Sequence, residues 1–148
     1  MASNTIKLKK YVDTVIERVA NAAITPGHLI ELMSTNKFRK HATAGSTVLP
    51  RMFALEDELQ GNGIDTDFSA NDQVQGWITH PGEEVYAILA ANQTIVINDK
   101  LESAGDGTLR KWTPLDSEAS GHEYSVVGVA LEAVTTTAAV ARIKILIP

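Results

Sequence analysis

The sequence predicts a mainly β protein, a small barrel or sandwich, and three observations carry that prediction. Apolar residues fall in short runs bounded by Gly, Asn and Asp, the punctuation of strands and turns. The sustained 3.6-residue periodicity that a helical core needs is missing beyond residue 23. One strand–turn–strand pattern also occurs twice. Glu31, Arg39 and Lys40 match Glu102, Arg110 and Lys111 at a single offset of 71 (102 − 31, 110 − 39). Ile24/Ile95, Ile30/Leu101 and Phe38/Leu109 are apolar at the same offset, and Ala54-Leu55-Glu56 recurs as Ala130-Leu131-Glu132.

In chain order, residues 1–10 alternate weakly, Ile6 and Leu8 against Lys7 and Lys9, and read as an extended arm that adds a strand to something else. Residues 11–23 place Val12, Val15, Ile16, Val19, Ala20 and Ala23 on one helical face, which favours a short helix. The β-branched residues of that stripe make a strand the alternative. Thr25-Pro26-Gly27 is a turn. Strands are then expected at 28–32, 37–41, 48–55, 73–79 and 85–89, and in the second half at 94–97, 100–103, 108–112, 124–132 and 140–147. Two connections are long: Glu56–Asn71, which holds the apolar pair Ile64 and Phe68, and Thr113–Glu123. The organisation expected is one β-rich domain over residues 11–148, preceded by the arm.

A chain of 148 residues is long enough for an unaided core. It has no cysteine, which removes disulfides, thiolate catalysis and cysteine-ligated zinc. The net charge of −5 argues against nucleic acid as a partner. The charge is uneven: Lys7, Lys9 and Lys10 sit in an arm without acids, so the rest carries 10 basic against 18 acidic residues. A basic arm on an acidic body suits an acidic partner surface, and a solvated, disordered N-terminus is the alternative. No signal peptide and no run long enough to cross a membrane is present, so a soluble protein made in a cytoplasm is expected.

The chemistry-bearing residues form no recognisable site. His28, His41, His80 and His122 have no metal-ligand spacing, although His28 and His41 could face one another across a hairpin. Asp65-x-Asp67-x-Ser69-x-Asn71 imitates a calcium loop but has Ala70 at the sixth position and Gly76 at the twelfth. Gly105-Asp106-Gly107 reads as a hairpin turn, not a phosphate loop. No nucleophile elbow is present. No catalytic residue, metal or cofactor is therefore expected. The repeated Glu and Arg read as a cross-strand ion pair in each hairpin, and Trp77 and Trp112 as core or subunit contacts.

Ala-Ala-Ile-Thr-Pro-Gly-His-Leu-Ile-Glu-Leu (22–32), Lys-Phe-Arg-Lys-His-Ala-Thr-Ala-Gly (37–45) and Met-Phe-Ala-Leu-Glu-Asp-Glu-Leu-Gln-Gly (52–61) form one set of motifs. With Asp-Gly-Thr-Leu-Arg-Lys (106–111) and Val-Gly-Val-Ala-Leu-Glu-Ala (127–133), they resemble the head decoration, or capsid cement, proteins of tailed bacteriophages. The resemblance covers most of the chain and rests on order and spacing. It implies a non-enzymatic, β-rich protein on the outer surface of the mature phage head, where it stabilises the shell against internal DNA pressure. The implied partners are the major capsid protein and further copies of itself, as a trimer. It also implies an N-terminal arm that reaches onto the capsid, here Met1–Lys10, with Thr5, Ile6, Lys7, Leu8, Lys9 and Lys10 as contact residues. Ile64 and Phe68, an apolar pair in a polar loop, are either pinned to the chain's own core or the apolar contacts with a subunit or the capsid, the second being the expected site. The alternative functions are a ligand- or carbohydrate-binding β-module of a virion and a hydrolase using paired acids.

Overall fold

The computed structural model describes residues 2–114 and 122–148, so the expected loop Thr113–Glu123 and the side chain of His122 lie largely outside the described residues. Among the described residues the strands are β1 (Lys7–Lys9), β2 (Val15–Val19), β3 (Leu29–Leu32), β4 (Phe38–Lys40), β5 (Met52–Ala54), β6 (Gln73–Ile78) and β7 (Glu84–Leu89). They continue as β8 (Thr94–Ile95), β9 (Lys100–Ser103), β10 (Leu109–Lys111), β11 (Val126–Ala130), β12 (Val134–Thr135) and β13 (Ala141–Leu146). The helical pieces are single 3-10 turns at Glu58–Gln60 and His122–Ser125.

The strands form two barrels of the same design. In the second half β7, β10, β9, β11 and β13 pair in that order, and β13 closes on β7 along six residues, from Ala141↔Leu89 to Leu146↔Glu84. In the first half β2, β6, β5, β3 and β4 pair in order, and Ala20 meets Phe38 in a parallel bridge that brings the ends together. The registers superimpose. Glu31↔Arg39 in the first hairpin becomes Glu102↔Arg110 in the second. Ile30↔Met52 becomes Leu101↔Gly128, and Val15↔Trp77 becomes Glu84↔Leu146. Ala20↔Phe38 becomes Leu89↔Leu109, and the Ile24↔Phe68 bridge becomes Ile95↔Val134. The repeat visible in sequence as a hairpin is therefore a whole five-stranded barrel. Its offset drifts from 71 at the hairpin to 76 at β5/β11 (130 − 54) and 69 at β6/β13 (146 − 77), which is why only the hairpin and the Ala-Leu-Glu stretch stand out in sequence.

Successive residues of the first barrel serve two cores. Ile16, Ile30, Met52, Ala54 and Val74 line its interior with Phe38, Ile24 and Phe68. Their neighbours Val15, Leu29, Phe53, Leu55 and Trp77 point the other way, into the larger core that includes the second barrel. Side chains alternate along a strand, so burying both faces demands an unbroken apolar run such as Met52-Phe53-Ala54-Leu55. The same fact corrects the helix expected over residues 11–23. That segment contains β2, with Val15 turned to one core and Ile16 to the other. Two adjacent, partly buried β-branched residues imitate a helical stripe, and strand pairing with β6 decides the outcome.

Candidate functional site

The arm is docked on its own chain. β1 pairs antiparallel with β7 (Lys7↔Val85, Lys9↔Glu84), and the Tyr86 N–H donates to Ile6 O at 2.9 Å. Strand addition by this segment is thus intramolecular, and Ile6 is fully buried in the larger core. Two buried carboxylates clamp the segment at either end. Glu56 accepts from Thr5 Oγ1 at 2.5 Å and from the Ile6 N–H at 3.3 Å. Glu83 Oε1 accepts from the Tyr11 and Val12 N–H groups, both at 3.0 Å, and its Oε2 from the His80 N–H at 2.7 Å. Burial alone would push the Glu83 carboxyl up. The N–H groups of Val12, His80 and Tyr11 and the nearby His80 ring outweigh it and hold the group below the usual range.

Of the expected arm residues, Lys9 and Lys10 present exposed charge. Lys10 and Lys7 both bond to Asp13, and Lys7 also lies 5.9 Å over the Trp77 ring. Beside the arm lies a polar cavity of about 400 Å3, walled by Thr5, Lys7, Glu56, Glu58, Leu59 and Gln75.

Ile64 and Phe68, expected at a subunit or capsid contact, are buried in the chain's own cores, at 8% and 7% exposure. Ile64 belongs to the larger core and Phe68 to the smaller, so one loop pins both barrels. Arg142 on β13 secures that loop, donating to Ile64 O and Pro26 O and reaching Asp65 Oδ1 at 3.4 Å. Asp67 of the calcium-loop lookalike accepts from Thr25 Oγ1 at 2.7 Å, and Asp72 Oδ2 accepts from the Ser69 N–H. Asp72 thus braces the end of the loop, and Asp67 ties the loop to the Thr25 turn. Among the described residues no cluster of His, Asp or Glu is arranged to hold a metal ion.

The repeated charges form equivalent cross-strand ion pairs, Arg39–Glu31 at 2.8 Å and Arg110–Glu102 at 2.9 Å. The copies differ in burial: Glu102 is 3% exposed and its Oε2 has no hydrogen-bond partner. The histidines of the first hairpin go separate ways. His28 Nδ1 accepts from the Thr25 N–H at 2.9 Å, and burial, with Lys40 nearby, lowers its pKa to about 4. His41 Nδ1 lies 2.7 Å from Ser103 Oγ, and its Nε2 lies 3.8 Å from Glu31 Oε2. This Glu–His–Ser line has the order of a hydrolytic triad and was missed in sequence, because Ser103 and His41 belong to different repeats. Ser103 is fully buried, so its hydroxyl meets no substrate here; it ties the two barrels together. Trp77 is fully buried and offers no sugar-stacking face, while Trp112 bonds to Ser125 Oγ beneath Lys100.

The second candidate surface is an apolar groove of about 370 Å3 at the open side of the first barrel. Ile16, Leu32, Leu49, Pro50 and Ile78 line it, with Leu32 and Leu49 exposed at 45% and 63%.

Two barrels in tandem, with an arm added to the second, can be set against known structures. Among the solved structures that match is the crystal structure of the head fiber gp8.5 N base in bacteriophage phi29. It aligns over 93% of this chain and 95% of its own, with a TM-score of 0.57 at 13% sequence identity. This chain shares the fold of that head-fiber base. No family model matches the sequence, and no curated protein matches it significantly. At this identity the likeness is one of architecture, and it extends to both barrels because the alignment spans nearly the whole chain.

Proposed function

We propose that this chain is a virion protein of a tailed phage, bound to the outer surface of the mature head, where it stabilises the shell against internal DNA pressure. The observation that carries the reading is the end-to-end fold likeness to the phi29 head-fiber base. The order and spacing of motifs that resemble head decoration proteins point the same way. The role needs no catalysis, metal or cofactor, and it fits a protein whose buried polar groups serve the packing of its own segments. Its mechanism is linkage: a protein that binds the mature shell and not the open one shifts the equilibrium toward the intact form. Many identical sites on a shell, each spanning several major capsid protein subunits, make modest contacts sufficient. Self-association as a trimer is part of the proposal, and sedimentation velocity of the free protein reads it directly.

The test is co-sedimentation of the purified protein with mature and with unexpanded phage heads. Saturable binding to the mature heads, with a raised temperature of DNA release, is the expected result. Absence from the mature heads at micromolar protein ends the reading. Deletion of residues 1–10 is a poor companion test, because it strips Ile6 from the core. Lys9→Glu, at an exposed position, changes the arm's charge and keeps the fold.

A further inference from the structure

The duplication makes each barrel a template for the other, and one position is filled in the second and open in the first. On the second barrel β1 covers the edge of β7 beside Val85 and Tyr86. The residues in the same places on the first barrel are Ile16 and Glu17, at the offset of 69 that relates β2 to β7 (84 − 15). Among the described residues β2 pairs with β6 on one side, and on the other only its tail, at Ala20, meets Phe38. Among the described residues no strand lies along Val15–Glu17 on that side.

The backbone of that edge is oriented to receive one. The Ile78 N–H donates to Thr14 O and the Ala20 N–H to Asp72 O, so even-numbered residues turn their hydrogen-bonding groups to β6. Val15 and Glu17 therefore turn theirs outward, as Tyr86 does toward Ile6. Natural open edges carry lysine, proline or a bulge to prevent pairing. Along Val15-Ile16 the edge has no lysine, proline or bulge, and the charged residues of β2, Glu17 and Arg18, follow that pair. Beside it lies the apolar groove, to which Ile16 contributes directly.

We infer that the free edge of β2, with its adjoining groove, accepts an extended segment of another polypeptide whose side chains alternate apolar and basic. Pairing with β2 sends every second side chain of the segment toward Ile16, Leu32 and Leu49 and the others toward the exposed carboxylate of Glu17. Glu31 also lines the groove but is paired with Arg39, so the acidic contact for the segment rests on Glu17. The arm of a second copy is not the occupant: Glu56 and Glu83 hold each arm on its own chain with Ile6 buried. This inference does not depend on the capsid reading, and its test uses no capsid.

The probe is a fluorescent peptide of residues 3–10 of this chain, which has the required alternation, added to the full-length protein and read by anisotropy. The expected result is saturable one-to-one binding. It weakens at least about tenfold with Val15→Pro, which removes an outward N–H on an edge where proline is tolerated, and with glutamates in place of the peptide's lysines. Where Val15→Pro fails to fold, Glu17→Lys at an exposed position is the second variant, with the same loss expected. Equal binding to wild type and variants means that the peptide exchanges with the arm on β7, and it overturns the inference. So does the lack of saturable binding up to millimolar peptide. Concentration-dependent self-association that Glu17→Lys abolishes also overturns it, by making a second copy the occupant.

Discussion

The Phe38 ring tip stands 2.7 Å from the point where Gly76 would carry a Cβ. The two barrels solve the same packing problem with the large and small residues exchanged. Gly76 in the first barrel corresponds to Ile145 in the second, and Met52 corresponds to Gly128, whose Cβ would meet Ile145 at 2.7 Å. Each interior holds one glycine at this level because a large side chain fills its space: Phe38 of β4, from across the first barrel, and Ile145 of the adjoining β13 in the second. Gly76→Ala is expected to cost about 1–3 kcal/mol by overpacking. Phe38→Leu, which installs the residue found at the equivalent position of the second barrel, relieves part of that cost. Urea unfolding of the two single variants and the double variant reads the coupling as a non-additive, compensating term.

Acid is expected to loosen the joint between the barrels at His28. The folded pKa of about 4 lies below the ordinary histidine value of 6.5, so the unfolded chain takes up the proton first as pH falls. Stability is therefore full above the unfolded pKa and declines between pH 6.5 and 4. The loss is on the order of 1–3 kcal/mol. Protonation of Nδ1 also ends its role as acceptor for the Thr25 N–H. His28→Asn keeps an acceptor without a titrating ring, and its stability profile over that pH window should be flatter than wild type.

The arm clamp gives a local prediction. Glu83→Ala leaves the Tyr11, Val12 and His80 amides without their acceptor, a loss on the order of 2–4 kcal/mol. Hydrogen exchange should then accelerate at Tyr11, Val12 and Tyr86 before it does in β9 and β11. Wild type should show the same pattern in acid. The Glu83 pKa lies below its unfolded value, so its contribution is present above the unfolded pKa and disappears as pH falls through the folded one. Uniform acceleration across both barrels would show that the arm is not a separate unit.

Phe68→Ala is expected to behave as a core truncation, with a loss of about 3–5 kcal/mol in thermal or urea unfolding. Phe68 is 7% exposed, and its backbone exchanges hydrogen bonds with Ile24 at 2.8 and 3.1 Å. A variant of wild-type stability with weakened self-association would return Phe68 to the surface role that the sequence suggested.

The candidate surfaces were legible to different degrees. The strand character and alternation of residues 6–9 could be read, but not that the partner edge is β7 of the same chain, because sequence does not reveal which edge is open. The Ile64/Phe68 pair was conspicuous as apolar residues in a polar loop. That pattern looks the same whether the loop folds inward or faces a partner, and Arg142, some 78 residues away, decides it. The open edge of β2 carries no local signal. It is defined by what the other barrel has and this one lacks.

The sequence by itself determined the β class, most of the strands, the turn positions and the existence of a repeat. All of these follow from short-range alternation and turn chemistry, which are local properties of the chain. Tertiary structure alone decided that the repeat is a complete barrel, that Val15 and Ile16 belong to different cores, and that the arm folds back on its own sheet. Those outcomes depend on pairing between residues far apart in sequence. Register offsets that drift from 66 (134 − 68) to 76 between equivalent positions are invisible until the strands are paired.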